Sequence, residues 1–309
     1  MRPAPDDLTE RLETGFGHGK VILLGEHAVV FGQPALAAGL PQGVQAVVSR
    51  GTGRVSVPAW NVETDLVSSG PVSRAVAAIY RTLEATQLDV TCDAQIPAAA
   101  GLGSSAAFAV AIARAVGAYV GAPAELQAQA IFAAESVFHE TPSGIDTAAA
   151  SLGGLGVFSR AAGWKPLATS HAFELCIGLT GRQRQTSQLV QSVRQLCDRT
   201  PVARRVIDTL GDVTRAGLDA LALADVDTLG RLFDVAHGLL AALRVSSPEL
   251  EVLVHSARTS GAIGAKLTGA GGGGAVIALA PGHTHDVLAA WRRSGFTGFA
   301  VTLGAGGAP

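Results

Sequence analysis

Two hydrophobic rhythms share the first half of the chain. Between residues 15 and 60, β-branched residues alternate with glycine and proline turns, which predicts several strands. VSRAVAAIYRTLEAT, residues 72–86, spaces its apolar positions for a helix instead. Residues 104–120, SSAAFAVAIARAVGAYV, are apolar almost all round except at Arg114, the pattern of a helix buried on most of its surface. Another helix is predicted over 123–140, with Pro123 in its first turn and a buried stripe of Leu126, Ala130, Ala134, Val137 and Phe138. Glu135 falls at the margin of that stripe. TPSGID, 141–146, breaks this helix and starts the next, because Pro142 and Gly144 do not continue one comfortably.

Further on, short strands are predicted near 155–170 and at FELCIGLTG. The stretch 183–260 reads as four helices, broken near Pro201, Ala224 and VSSPEL. The C-terminal part reads strand (262–267), glycine loop, strand (274–280), helix (284–294) and strand (297–303). Strands dominate early and helices cluster later. This predicts an α+β protein of two lobes, residues 1–170 and 171–309, joined near 165–172.

Composition sharpens this picture. Hydrophobic residues make up an ordinary 48%, but charged residues are only 16%, against about 25% typically. Alanine and 38 glycines fill the deficit, which predicts alanine-rich helices and many tight turns. A net charge of −2 with no clustered basic residues argues against nucleic acid as a partner. Cys92, Cys176 and Cys197 are far apart and lack CxxC spacing, so they read as free thiols in a reducing compartment. The N-terminal segment has no apolar core of a signal peptide, and no apolar run approaches the ~20 residues of a membrane span. Arg114 interrupts the longest candidate. The expectation is a cytoplasmic protein with a small-molecule partner, no membrane and no nucleic acid; a homodimer stays open.

Three glycine-bearing segments carry the candidate chemistry. GKVILLGEHAVVFG places Lys20, Glu26 and His27 in an otherwise apolar run. Alone, these read as an edge-strand charge and two turn residues. The segment is not a P-loop, because Val21 follows Lys20 where Ser or Thr is required and position 14 is not glycine. AAAGLGSSAAF delivers a glycine loop into a helix start at Ser104 and Ser105. Free amide groups and the helix dipole suit phosphate there, and a serine hydroxyl suits magnesium; an N-cap serine in a plain turn is the alternative. KLTGAGGGGAV contains Gly269-x-Gly271-x-x-Gly274, a dinucleotide fingerprint in form only, since the fingerprint needs a following helix and AVIALAP looks like a strand. A hairpin turn, or close approach of something bulky to the backbone, accounts for it instead.

Glu135 and Asp146 add carboxylates 11 residues apart. One fits an oxygen shell for magnesium. The other fits a proton acceptor for a hydroxyl, with Lys20 as its cationic neighbour. Their alternatives are a solvated or salt-bridged glutamate and an aspartate that stabilises a helix N-terminus.

Taken in order, GKVILLGEHAVVFG, GLGSSAA and KLTGAGGGG resemble the three motifs of the GHMP kinases. Within that family the likeness is to the mevalonate kinase branch, because GEHAVVFG lacks the aspartate-tyrosine pair that galactokinases carry after the histidine. PSGID with Glu135 upstream, RQTSQLV and SSPELEVLV also resemble that branch, so the likeness runs from about residue 15 to 280. The resemblance implies a first lobe like ribosomal S5 domain 2 and a ferredoxin-like second lobe. It implies ATP and Mg2+, with mevalonate phosphorylated to 5-phosphomevalonate in isoprenoid biosynthesis.

Carried over by position, Ala100, Gly101, Leu102, Gly103, Ser104, Ser105 and Ala106 form the phosphate loop. Ser104 or Ser105 and Glu135 hold magnesium. Asp146 is the base, Lys20 its neighbour, and Glu26, His27, Thr186, Gly269, Ala270 and Gly271 lie on the substrate side. Three positions depart from the family's pattern: His18 for proline, Ala99 for glycine and Thr141 for asparagine. A phosphomevalonate kinase, with Arg182 and Arg184 as extra cations, is the alternative within the family. Outside it, a silent nucleotide sensor has no use for a proton acceptor, and an oxidoreductase lacks its helix.

Overall fold

The computed structural model describes residues 11–139, 144–169, 171–182 and 186–304, less the side chain of Thr186. Thr141, Pro142, Ser143 and Arg184 lie outside the described residues. In chain order the elements begin with β1 (Glu13–Leu24), β2 (Ala35–Arg50), β3 (Arg54–Val57), β4 (Val62–Asp65), α1 (Pro71–Thr82) and β5 (Leu88–Ala94). Next come α2 (Ser104–Val120), α3 (Ala124–Phe138), α4 (Ile145–Leu152), β6 (Gly154–Ser159), β7 (Gly163–Pro166) and β8 (Ala172–Leu179). Then follow α5 (Thr186–Arg199), α6 (Pro201–Ala222), α7 (Val226–Ala242) and α8 (Pro248–Thr259). The order closes with β9 (Gly264–Thr268), β10 (Ala275–Leu279), α9 (Thr284–Arg293) and β11 (Thr297–Gly304). The chain divides into two compact units, neither of them continuous in sequence. One comprises the described residues of Met1–Gly17, Gly43–Pro97 and Ser105–Pro142; the other comprises those of His18–Gln42, Ala98–Ser104 and Ser143–Pro309.

In the first unit β3 pairs antiparallel with β4 and parallel with β5, and β5 pairs antiparallel with the second half of β2, from Val44↔Ala94 to Arg50↔Leu88. The alanines of α2 serve close packing. A Cβ on Gly15 or Gly17 of β1 would come within 2.1 Å of the Ala111 or Ala107 carbonyl oxygen, so strand and helix backbones touch where only glycine fits. The exceptional Arg114 on α2 has a local use, because its Nη1 donates to the Phe16 carbonyl at 2.8 Å. The stripe of α3 differs from the sequence expectation. Its buried residues are Ala130, Ile131, Ala134 and Glu135, while Leu126, Val137 and Phe138 are only half-buried. The buried face is rotated by about one position, which takes Glu135 inside.

In the second unit the first half of β2 pairs antiparallel with β6, and β7 folds back on β6. Ile22, Val29, Ala35, Ala37, Ile145 and Phe158 form one apolar cluster there. A separate antiparallel sheet of order β11-β8-β10-β9 follows, with every residue of β9 and β10 buried. Helices α8 and α9 pack on this sheet, and α7 packs on β9. The predicted breaks between α5 and α8 have chemical causes. Thr200 accepts from the Val202 amide with Pro201 next in line, Asp225 accepts from Thr228, and Ser247 accepts from Leu250 ahead of Pro248. Cys92, Cys176 and Cys197 are free, and burial pushes the Cys92 thiol up to about 12. Among the described residues no helix is long and apolar enough to cross a membrane.

Two contacts fix the end of β9. Thr268 Oγ1 accepts from the Ile22 amide at 2.9 Å and donates to the Ile22 carbonyl at 3.0 Å, tying β9 to β1 through one hydroxyl. The glycine run that follows is a hairpin loop from Thr268 to its register partner Ala275. Gly271 has φ +81°, its Cβ would sit 2.0 Å from the Val245 carbonyl oxygen, and the Gly272 amide donates to that oxygen at 2.7 Å. The bulky neighbour inferred from the sequence is therefore this chain's own backbone. Thr268→Val, which leaves two backbone groups of Ile22 buried without partners, is expected to cost about 2 kcal/mol by urea denaturation. Gly271→Ala is expected to cost more than the roughly 1–2 kcal/mol of left-handed strain alone, because the loop must also leave Val245; the same measurement checks it.

Candidate active site

Lys20 stands in the last part of β1, where residues 19–24 are all buried. An ammonium group there is costly without a partner. Asp146 supplies one, with Oδ1 2.8 Å from Nζ; Lys20 is 2% exposed and the aspartate side chain 28%. Gly144 sets up that aspartate. Its left-handed φ of 84° turns the chain into α4, placing Asp146 in the first turn, where the helix dipole favours a carboxylate. β1 pairs with β2 alone among the described strands, so Lys20 does lie on a strand with a free edge, but its ammonium group is buried and the carboxylate that meets it is partly open to water.

The loop before α2 wraps the same lysine. The Lys20 amide donates to the Leu102 carbonyl at 2.7 Å, and a Cβ on Gly103 would lie 3.3 Å from the Lys20 Cβ. Gly101 and Gly103 both take positive φ, and so does Ala99 at 55°. Ser104 is the first residue of α2 and is buried; its Oγ accepts from the Ala99 amide at 3.2 Å. That bond fastens the start of the loop to its end. Ser104 is therefore a loop fastener inside the helix start, not the N-cap residue of the plain-turn alternative.

Glu26 and His27 follow β1 in a turn, as their alternative reading held, but both are buried, at 1% and 5% exposure. Gly25 reaches φ +102° and His27 φ +58°, so the turn is tight and strained at the histidine. His27 Nε2 donates to the Ala270 carbonyl at 3.0 Å. Glu26 Oε1 accepts from Lys266 Nζ, and both side chains are fully enclosed. Burial raises the Glu26 carboxyl above its ordinary range, against the pull of Lys266 and, more weakly, Lys20. Burial likewise lowers the Lys266 ammonium, against the pull of Glu26.

The second compact unit thus brings together Lys20, Asp146, Gly101 to Ser104, Glu26, His27 and Ala270. Ser105 and Glu135 belong to the first unit. Ser105 Oγ lies 3.3 Å from His139 Nε2, and Glu135 is buried on α3. Thr186 opens α5. Arg182 Nη2 lies 2.8 Å from Glu249 Oε1, with the arginine side chain largely exposed. Lys266 and Thr268 were not singled out from the sequence; the available signal was one cation and one hydroxyl inside the apolar strand GAKLT.

Two family models match the chain, "GHMP kinases N terminal domain" over residues 71–154 and "GHMP kinases C terminal" over residues 218–296. The chain is 35% identical over 284 residues to a mevalonate kinase of Methanothermobacter thermautotrophicus, covering 89% of this chain and 92% of that protein. It is 36% identical over 312 residues to a mevalonate kinase of Pyrococcus furiosus, covering 90% and 92%. Among solved structures, L. major mevalonate kinase in complex with R-mevalonate superimposes with a TM-score of 0.84 at 27% identity, covering 97% of this chain and 98% of that one. With both family models in place and relatives alike over nine-tenths of its length, the chain belongs to the GHMP kinase family.

Proposed function

We propose that this kinase transfers the terminal phosphoryl group of ATP to the 5-hydroxyl of mevalonate, with Asp146 as proton acceptor. The observation that carries this reading is the Lys20–Asp146 pair: a buried cation fixing a carboxylate that water still reaches. In the transfer, the hydroxyl oxygen forms a bond to the γ-phosphorus. The bond from that phosphorus to the ADP oxygen breaks, and the hydroxyl proton passes to Asp146. Lys20 holds the carboxylate in place and offsets charge at the reacting oxygen. Mevalonate enters from the likeness to mevalonate kinases, one of them a complex with R-mevalonate.

Residues 100–106 are the phosphate loop in this reading, with the start of α2 directed to the phosphates. The donor set assigned to magnesium in this reading, Ser104, Ser105 and Glu135, is all oxygen, which suits a hard cation. Magnesium held there supplies charge neutralisation at the phosphates. Glu26, His27, Thr186 and Gly269 to Gly271 line the substrate side. The division into lobes of residues 1–170 and 171–309 belongs to the same reading. The cytoplasm is the expected compartment.

ADP release on adding ATP, Mg2+ and mevalonate tests the reading, with 5-phosphomevalonate as the parallel acceptor; activity on the latter alone overturns the substrate. Asp146→Asn is expected to lower kcat by at least about 100-fold while ATP affinity, measured by calorimetry, stays within a few-fold. Glu135→Gln is expected to raise the Mg2+ concentration at half-maximal rate by on the order of ten-fold, read from a metal titration of the initial rate.

A further inference from the structure

Helix α4 meets β1 at both of its ends. At its start Asp146 pairs with Lys20. At its other end stands Gly153, which closes the helix with a left-handed φ of 63° and touches His18. A Cβ on Gly153 would lie 2.7 Å from His18 Nε2, 2.9 Å from Cε1 and 3.0 Å from Cδ2, so the outer edge of the imidazole rests on the bare glycine. His18 and Lys20 are two residues apart on one strand, which puts both side chains on the same face. The helix between these contacts has eight residues and a length of about 10 Å.

The ring is itself fixed. His18 Nδ1 donates to the Leu40 carbonyl at 2.8 Å, which ties it to β2, the strand that pairs with β1. β2 also touches the closing residue directly: a Cβ on Gly39 would lie 2.5 Å from Gly153 Cα and 2.6 Å from the Ala149 carbonyl oxygen. Gly153 thus meets both the backbone of β2 and the ring of His18. A helix of two turns does not hold its shape alone in water, so contacts at both ends decide where its first turn stands. A proline, the residue usual at position 18 in the family, would offer Leu40 no donor and Gly153 no imidazole edge. This support therefore belongs to this chain.

We propose that His18 is a positioning residue for phosphoryl transfer: seated on Gly153 and tied to Leu40, it fixes the far end of α4 and with it the place of the Asp146 carboxylate against Lys20. His18 touches neither ATP nor the acceptor in this account, and acts only through α4. The inference rests on the reading of Asp146 as proton acceptor given under Proposed function.

A double-mutant cycle in the full chain tests it, with kcat expressed per folded molecule and KM measured for ATP and for the alcohol that the wild type phosphorylates. His18→Ala is expected to lower kcat at least about five-fold, with KM for ATP within about two-fold. The same substitution made on Asp146→Asn is expected to change kcat less than about two-fold, because the carboxylate that His18 helps to place is already gone. A loss below about five-fold on the wild type overturns the proposal. So does a loss of about two-fold or more on Asp146→Asn, which marks a contribution that does not pass through that carboxylate. If Asp146→Asn itself leaves kcat unchanged, the reading of Asp146 falls and this inference with it; if only the His18 arm fails, that reading stands. Should His18→Ala not fold, His18→Asn, which keeps a donor in the place of Nδ1 but stops short of Gly153, goes through the same cycle, and the same thresholds decide.

Discussion

Burial of the Lys20 ammonium group is the constraint on which the rest of the second unit depends. A cation at 2% exposure must be matched locally, or the strand that carries it does not stay inside. The match comes from Asp146, brought into place by the left-handed turn at Gly144 and the first turn of α4. The loop before α2 then closes over the backbone of the same lysine, through the Leu102 carbonyl and the bare face of Gly103. Lys20 thus joins a helix start through its charge and a glycine loop through its backbone.

The glycine run between β9 and β10 shows how such a site keeps its shape. Its positive φ values and its contact with the Val245 carbonyl are met entirely within the protein. The loop is therefore preformed, and the Ala270 carbonyl stands ready to fix His27 Nε2. Preorganisation of this kind spares a binding site the cost of ordering its backbone when a ligand arrives.

Much of this was legible in the sequence where the signal is local. The helices from α5 to α8 announce themselves through Thr200-Pro201, Asp225 and Ser247-Pro248, because capping chemistry is confined to a few adjacent residues. The strand-loop-strand character of KLTGAGGGGAV followed from the apolar run after the glycines. Glu135 was less legible: a helical stripe is wide, and a shift of one position decides whether a glutamate faces water or the interior. The pairing of Glu26 with Lys266 was not legible at all. It joins residues 240 positions apart, and no periodicity encodes which buried cation meets which buried anion. The resemblance to GHMP kinases identified the motifs; only the fold could say that the lysine inside GAKLT answers the glutamate inside GEHAVVFG.

The interleaving of the two units carries a consequence for how the protein is made. Every segment of the first unit lies before residue 143, whereas the second unit begins at His18 and takes in the last strand. Lys20 precedes its partner Asp146 by 126 positions, and Glu26 precedes its partner Lys266 on β9 by 240. In a nascent chain each of these charges stays unmatched until its own partner has been translated. Closure of the second unit is thus a long-range event, set by topology and not by the local vigour of its helices.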